Sequence, residues 1–360
     1  MANPVTSSTL GCEPDTYLYS LARIGNNSLA TIGSDDSLRI FDPSTLRITA
    51  SAQPRGSGLS CLQAFDERTL ATAGRDGTIR LWDTRAKPIT QLAEPQGRPI
   101  SALACHANIL AAGTESNKEG LGDVSVLLYD ARNPSIPLRD YAESHTDSIT
   151  QLAFHPTAPH VVLSGSTDGL VSLFDGNEAD EDEALQTVFN PRSAVHCAGF
   201  LSSEEVYVFT TDERFLIYPL LPTSTSPGTI EGGGGGGGGE QSSPTEQQQQ
   251  QQPRDFGDVR EELNCMYVIS LLRQPADHQP LIAYGHNEQQ RLSVMQLSSS
   301  SSSSPSAGGV GVEGARGSWE FGPSVDFPGA HGEEVVRDML VGDGRAWSCG
   351  EDGCVRVWKW

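Results

Sequence analysis

Short apolar runs recur along the chain, separated by polar turns that contain glycine, proline or aspartate. The run "LATAG" (70–74) leads through Arg75, Asp76 and Gly77 into "TIRLWD" (78–83). This layout predicts two antiparallel strands joined by a tight turn. β-Branched and aromatic residues suit a half-buried pleated surface, and glycine supplies the positive φ that the turn prefers. The layout returns in "LATIGSDDSLRIFD" (29–42), "LSGSTDGLVSLFD" (163–175) and "WSCGEDGCVRVWKW" (347–360). A further strand precedes each pair, as in "LSCLQAF" (59–65), "ISALACH" (100–106), "ITQLAFHP" (149–156), "AVHCAGFL" (194–201), "MYVISLL" (266–272) and "VVRDMLV" (335–341). No stretch has convincing helical periodicity.

In each pair an Asp stands six residues before an aromatic: Asp35 and Phe41, Asp76 and Trp82, Asp168 and Phe174, Asp352 and Trp358. Asp123 before Tyr129 and Asp212 before Tyr218 are fainter copies, and Gln289 before Met295 is a degenerate one. The steps between these marks are 41, 47, 45, 44, 77 and 63 residues. The two long steps each contain a low-complexity tract. Residues 224–254 hold eight glycines (232–239) and six glutamines (247–252); residues 298–316 begin with seven serines. Leaving these tracts out reduces the long steps to 46 and 44. A period of about 40–47 residues is that of a four-stranded propeller blade. The expectation is one all-β domain over residues 1–360, a seven-bladed β-propeller of antiparallel blades. Residues 224–254 and 298–316 are expected to be disordered loop inserts, because neither can bury enough apolar surface to order itself. Residues 5–11 are expected to pair with residues 354–358 as the outer strand of the last blade, closing the ring.

These residues resemble the WD-repeat family, whose blades end in Trp-Asp. The resemblance implies a structural role for the repeated Asp. It would accept a hydrogen bond from a His at the blade entrance, which is linked through a Ser or Thr on the second strand to the Trp of the third. The last blade carries the full set, His331, Ser348, Asp352 and Trp358. The fourth has His145, Ser164 and Asp168, with Phe174 in place of the Trp. The second has Thr72, Asp76 and Trp82 without a His. A binding platform for a protein or peptide is the function the resemblance implies. It also implies a narrower reading. Trp82, Asp83 and Arg85 look like the Trp-Asp-x-Arg motif by which some WD-repeat proteins dock on the adaptor of cullin-type ubiquitin ligases, and "LYDAR" (128–132) is a weaker copy. The acidic residues leave open a different class, an acidic-face binder or chaperone of a basic protein such as a histone.

Charge changes this picture by exclusion. The chain has 24 basic and 46 acidic residues, a net charge of −22. Phosphate recognition needs clustered Lys and Arg, so nucleic acid and anionic membrane are not expected partners. Candidate partner contacts are placed on the turns of one face, at Arg75, Glu115, Lys118, Thr167 and Glu351. The turn at 114–123 is unusually long, and long loops often carry function. Seven scattered cysteines without a C-x-x-C support neither a disulfide framework nor a zinc site. The first residues lack a basic start and an apolar core, so no secretory leader is expected, and no apolar run is long enough to span a membrane. No Walker loop, G-x-S-x-G or H-E-x-x-H occurs. His155 and His160 have no third ligand nearby. The chain is read as a monomeric, non-enzymatic protein of the nucleus or cytoplasm, without metal or cofactor.

Overall fold

The computed structural model describes residues 2–25, 27–116, 122–133, 136–220, 252–274, 278–300, 318–342 and 344–360. The first strand, β1 (Asn3–Ser8), belongs to the last blade. Blade 1 is β2 (Leu18–Ile24), β3 (Ser28–Gly33), β4 (Leu38–Phe41) and β5 (Ile48–Ala52). Blade 2 is β6 (Leu59–Ala64), β7 (Thr69–Gly74), β8 (Thr78–Asp83) and β9 (Pro88–Ala93). Blade 3 is β10 (Ile100–His106), β11 (Ile109–Thr114), β12 (Val126–Asp130) and β13 (Arg139–Tyr141). Blade 4 is β14 (Ile149–Phe154), β15 (Val161–Ser166), β16 (Val171–Asp175) and β17 (Leu185–Phe189), with a single helical turn, α1 (Glu181–Ala184), before its outer strand. Blade 5 is β18 (Val195–Phe200), β19 (Glu205–Thr210), β20 (Arg214–Pro219) and β21 (Arg254–Asp258), followed by α2 (Arg260–Leu263). Blade 6 is β22 (Tyr267–Arg273), β23 (Pro280–His286), β24 (Arg291–Ser300) and β25 (Ser318–Pro328). Blade 7 is β26 (Val336–Gly342), β27 (Arg345–Gly350) and β28 (Val355–Lys359), completed by β1. All seven sheets are four-stranded and antiparallel, so the fold is the seven-bladed propeller that the repeat predicts.

The core lies between blades. Each of seven apolar clusters joins two neighbours. One joins Ile79 and Leu81 of blade 2 to Leu103 and Leu127 of blade 3, and another joins Leu18 and Leu29 of blade 1 to Val355 and Val357 of blade 7. A second strand is therefore covered on both faces, and β7, β11, β15 and β27 are buried almost throughout. Small residues end these strands because the blade's own entry segment passes close by. A Cβ on Gly74 would stand 2.5 Å from the Ser57 carbonyl, and one on Gly350 2.5 Å from the Val335 carbonyl.

All seven inner strands bulge at the same place, at Tyr19, Ser60, Ser101, Thr150, His196, Ile269 and Arg337. A bulge re-aims a side chain and interrupts the ladder. Here four re-aimed side chains reach the carbonyl beside the neighbouring bulge: Ser60 to Ile100 at 2.7 Å, Ser101 to Ile149 at 2.7 Å, Thr150 to Val195 at 2.9 Å and His196 Nε2 to Val268 at 3.1 Å. The irregularity thus links the blades around the channel.

Three boundaries differ from expectation. Closure uses residues 3–8 rather than 5–11, with Asn3 opposite Lys359 and Ser8 opposite Val355. Leu10 and Gly11 instead form a left-handed turn. Residues 298–300 lie in β24, opposite residues 318–320, and Arg254 begins β21, so the inserts are shorter at these ends than expected. The remainder of both tracts lies outside the described residues, apart from residues 252–253. No helix among the described residues is long and apolar enough to cross a membrane.

Candidate functional site

The turn between the second and third strands defines the top of each blade. The residue just after the second strand donates its N–H to the entry segment. Ser34 bonds Tyr17, Arg75 bonds Gly58, Glu115 bonds Pro99, Thr167 bonds Ser148, Thr211 bonds Ala194 and Glu351 bonds Val335, at 2.8–3.0 Å. Four of the five candidate contacts, Arg75, Glu115, Thr167 and Glu351, therefore occupy equivalent rim positions in blades 2, 3, 4 and 7. Arg75 is exposed and the other three are half-buried. Glu351 is tied to Arg337, the bulge residue of β26. Lys118 lies outside the described residues.

The repeated Asp sits one residue further into the turn. In blade 7, His331 Nδ1 is 2.7 Å from Asp352, its Nε2 is 2.8 Å from the Ser348 hydroxyl, and Trp358 Nε1 donates to that hydroxyl at 3.2 Å. Burial, and then the Arg356 charge, lower the His331 pKa against the pull of Asp352. A neutral ring facing a carboxylate acceptor carries its proton on Nδ1, so the relay runs from Trp358 to Ser348 to His331 to Asp352. Burial alone would raise the Asp352 pKa, but His331 and Arg356 outweigh it and hold the carboxyl well below its ordinary range. Blade 4 has the same geometry, with His145 3.0 Å from Asp168 and 2.7 Å from Ser164, and Phe174 fully buried. In blade 2, Trp82 donates to Thr72 at 2.8 Å, and Asp76 is bound at 2.5 Å by Arg80 in place of a His.

Sequence reasoning passed over these arginines. Arg39, Arg80 and Arg356 each stand four residues after the turn Asp and pair with it, and that fixed spacing was the available signal. It also passed over Arg98, which takes the entrance position in blade 3. Its guanidinium bonds Glu94 at 2.7 Å, Ser125 at 3.0 Å and the Asp123 carbonyl at 3.2 Å, with both ion-pair partners buried.

The Trp-Asp-x-Arg segment separates into different roles. Trp82 is buried in the blade 1–2 core and cannot present a docking surface. Asp83 accepts from the Arg85 and Lys87 amides and pairs with Arg85, whose side chain is 74% exposed. Asp130 and Arg132 repeat this pair in blade 3. The acidic run 175–183 is partly structural, because Glu181 accepts the amides of Ala142, Glu143 and Ser144. His155 is likewise occupied, by the Ser203 carbonyl and the Thr157 and Ala158 amides. Among the described residues no three potential metal ligands come together.

A half-buried carboxylate between the first and last blades should make stability depend on pH. Asp338 joins blade 7 to blade 1 by accepting from the Leu21 amide at 2.7 Å and the Ser20 hydroxyl at 3.2 Å. Burial pushes its pKa up to about 6 in spite of these bonds. A folded-state pKa above the unfolded value means stability that is full at low pH and lost as pH rises through about 6. Burial shifts Glu213 the same way, to about 7. The depressed carboxyls of Asp168 and Asp352 act only at lower pH, so they do not cancel this slope. Unfolding free energy should fall by roughly 2–3 kcal/mol between about pH 4.5 and pH 7.5 on account of Asp338. Denaturant titrations of the native chain and Asp338→Asn check this, and an equal slope in the variant would remove Asp338 as the origin.

The repeats and the ring define a seven-bladed WD40-repeat propeller. The family model described as "WD domain, G-beta repeat" matches residues 53–83 and 137–175. The homologues are WD repeat-containing proteins. An uncharacterized WD repeat-containing protein of Saccharomyces cerevisiae is 32% identical over 254 residues, 70% of this chain and 54% of that protein. The WD repeat-containing protein 89 homolog of Dictyostelium discoideum is 33% identical over 91 residues, 25% of each chain. The chain thus spans about half the length of the first relative and a quarter of the second. A chain in the crystal structure of the mitotic checkpoint complex shares the fold, with a TM-score of 0.67 at 14% identity over 99% of this chain and 91% of that one.

Proposed function

We propose that the protein is a non-catalytic scaffold of the nucleus or cytoplasm that binds another protein or peptide on the top rim of the ring. The observation that carries this reading is the contrast between two sets of polar residues. Ser348, His331 and Asp352 have the order of a hydrolase triad, but the Ser and His are at most 1% exposed, and the hydroxyl is already engaged by Trp358. A nucleophile must reach a substrate carbonyl, and this one is sealed in a blade. Arg75, Glu115, Thr167 and Glu351, by contrast, stand at equivalent positions on a rigid frame. Such presentation suits recognition, since contacts held by ordered backbone lose little entropy on binding. A double charge reversal, Arg75→Glu with Glu115→Lys, should leave the melting temperature unchanged and reduce partner capture at least tenfold. The readout is affinity purification from the native cell with quantitative mass spectrometry, and unchanged capture sinks the top-rim reading.

A second reading rests on the repeated pair on the opposite face. Asp83–Arg85 and Asp130–Arg132 present two exposed guanidinium groups from adjacent blades. By likeness to ligase-docking WD-repeat proteins, these arginines would engage a cullin-ligase adaptor.

A further inference from the structure

We propose that Cys12 and Cys354 are a redox-sensitive pair that can be joined covalently across the closure of the ring. All seven cysteines are free thiols; Cys61, Cys197, Cys265 and Cys349 are buried. Cys12 and Cys354 are both partly exposed, and the fold places them together. The closing strand ends opposite Val355, one residue after Cys354. The chain then reverses: the Cys12 amide donates to the Thr9 carbonyl at 2.9 Å, across the left-handed residues Leu10 and Gly11. The reversal carries Cys12 back over the start of β28. A Cβ on Gly353 would lie 3.9 Å from the Cys12 Cβ, and Cys354 is the next residue. The same Cβ would stand 2.5 Å from the Thr16 carbonyl, so the loop carrying Cys12 lies close against this turn. Cys354 is also among the groups whose charge acts on the Cys12 thiol, which places the two side chains as neighbours; a disulfide between them needs Cα atoms about 4.4–6.8 Å apart.

The surroundings set the chemistry. Burial raises both thiol pKa values; Asp352 adds to this for Cys354, while the Arg39 charge opposes it for Cys12. A small disulfide such as oxidised glutathione supplies the oxidant by exchange, and because the attacking species is the thiolate, the link should form slowly at neutral pH and faster as the pH rises. One protein thiolate attacks the glutathione disulfide and expels one glutathione thiolate. The second protein thiolate then attacks the protein-side sulfur of the mixed disulfide and expels the other. Two protein thiols are oxidised to one disulfide, and one small disulfide is reduced to two thiols, which take up the two protons. The product ties the first strand to the last and holds shut the seam that is made of non-local pairs alone.

The test treats the full chain with oxidised glutathione, alkylates what remains free, and maps the peptides by mass spectrometry. The expected product has lost ~2 Da, with Cys12 joined to Cys354 and the other five cysteines alkylated after unfolding. Its melting temperature should rise by about 5 °C, because the cross-link closes a very long loop. Dithiothreitol should reverse both changes, and Cys12→Ser and Cys354→Ser should each abolish them. Recovery of Cys12 and Cys354 as alkylated free thiols, or as separate glutathione adducts, overturns the proposal.

Discussion

A chain lacking residues 2–8 should unfold at markedly lower free energy than the full chain and should form oligomers. These residues contain β1, which supplies the outer edge of blade 7 by pairing with Val355, Arg356, Val357, Trp358 and Lys359. Most of its side chains are exposed, so its contribution lies mainly in the backbone ladder. At roughly 1 kcal/mol for each net hydrogen bond, five paired positions give about 3–5 kcal/mol. Deletion also turns β28 into an unpaired edge, and open edges recruit other strands. Leu10, which is 2% exposed in the blade 7–1 core, is kept in the shortened chain, whereas Ala2, 2% exposed in the blade 6–7 core, is lost with its amide bond to the Asp326 carbonyl, so the loss reports the strand together with this one small core contact. Denaturant unfolding and light scattering after size exclusion are the measurements. A shortened chain that matches the full one in both would mean that three strands suffice to close the ring.

The number of blades was legible because the signal repeats. An Asp six residues before an aromatic marks a turn and the strand that follows it, and six such marks with one degenerate copy, near-constant in spacing once the two tracts are left out, leave little freedom. What was not legible had no repeat behind it. The bounds of β1 were misplaced, by two residues at its start and three at its end, because a short polar strand with little buried surface specifies its pairing weakly. Ser298, Ser299 and Ser300 read as low complexity since serine carries no packing signature. They are strand because the partner strand carries Trp319 and Phe321, which pack against the blade 5–6 core. The rim was visible only as a set of turns. That Arg75, Glu115, Thr167 and Glu351 share one backbone position follows from hydrogen bonds to entry segments about seventeen residues earlier, a regularity of space rather than of composition. The tie from Asp338 to blade 1 joins residues 317 apart, beyond the reach of any local pattern.

The largest effect of a single substitution is expected at Trp358. The side chain is 1% exposed, packs edge-on against Phe327 at 5.5 Å between ring centres, and belongs to the blade 6–7 core. Trp358→Ala should cost about 3–5 kcal/mol, as large aromatic truncations in packed cores do. Packing and hydrogen bonding can be separated because the molecule already contains the control. Blade 4 keeps Ser164, His145 and Asp168 but places Phe174 where an indole would stand, and Phe174 stacks on Tyr141 at 4.8 Å. Serine and histidine therefore satisfy one another without the N–H. Trp358→Phe should accordingly lose only the bond to Ser348 and some volume, about 1–2 kcal/mol. His331→Ala is different, because it leaves both Ser348 and Asp352 without their central partner. At about 1–3 kcal/mol for each orphaned group it should exceed Trp358→Phe, even though fewer apolar atoms are lost. Chemical unfolding of the three variants gives the order Ala at 358, then Ala at 331, then Phe at 358. If His331→Ala is the mildest of the three, the imidazole is a spacer rather than the centre of the relay, and Arg356 alone is enough to hold Asp352 in place.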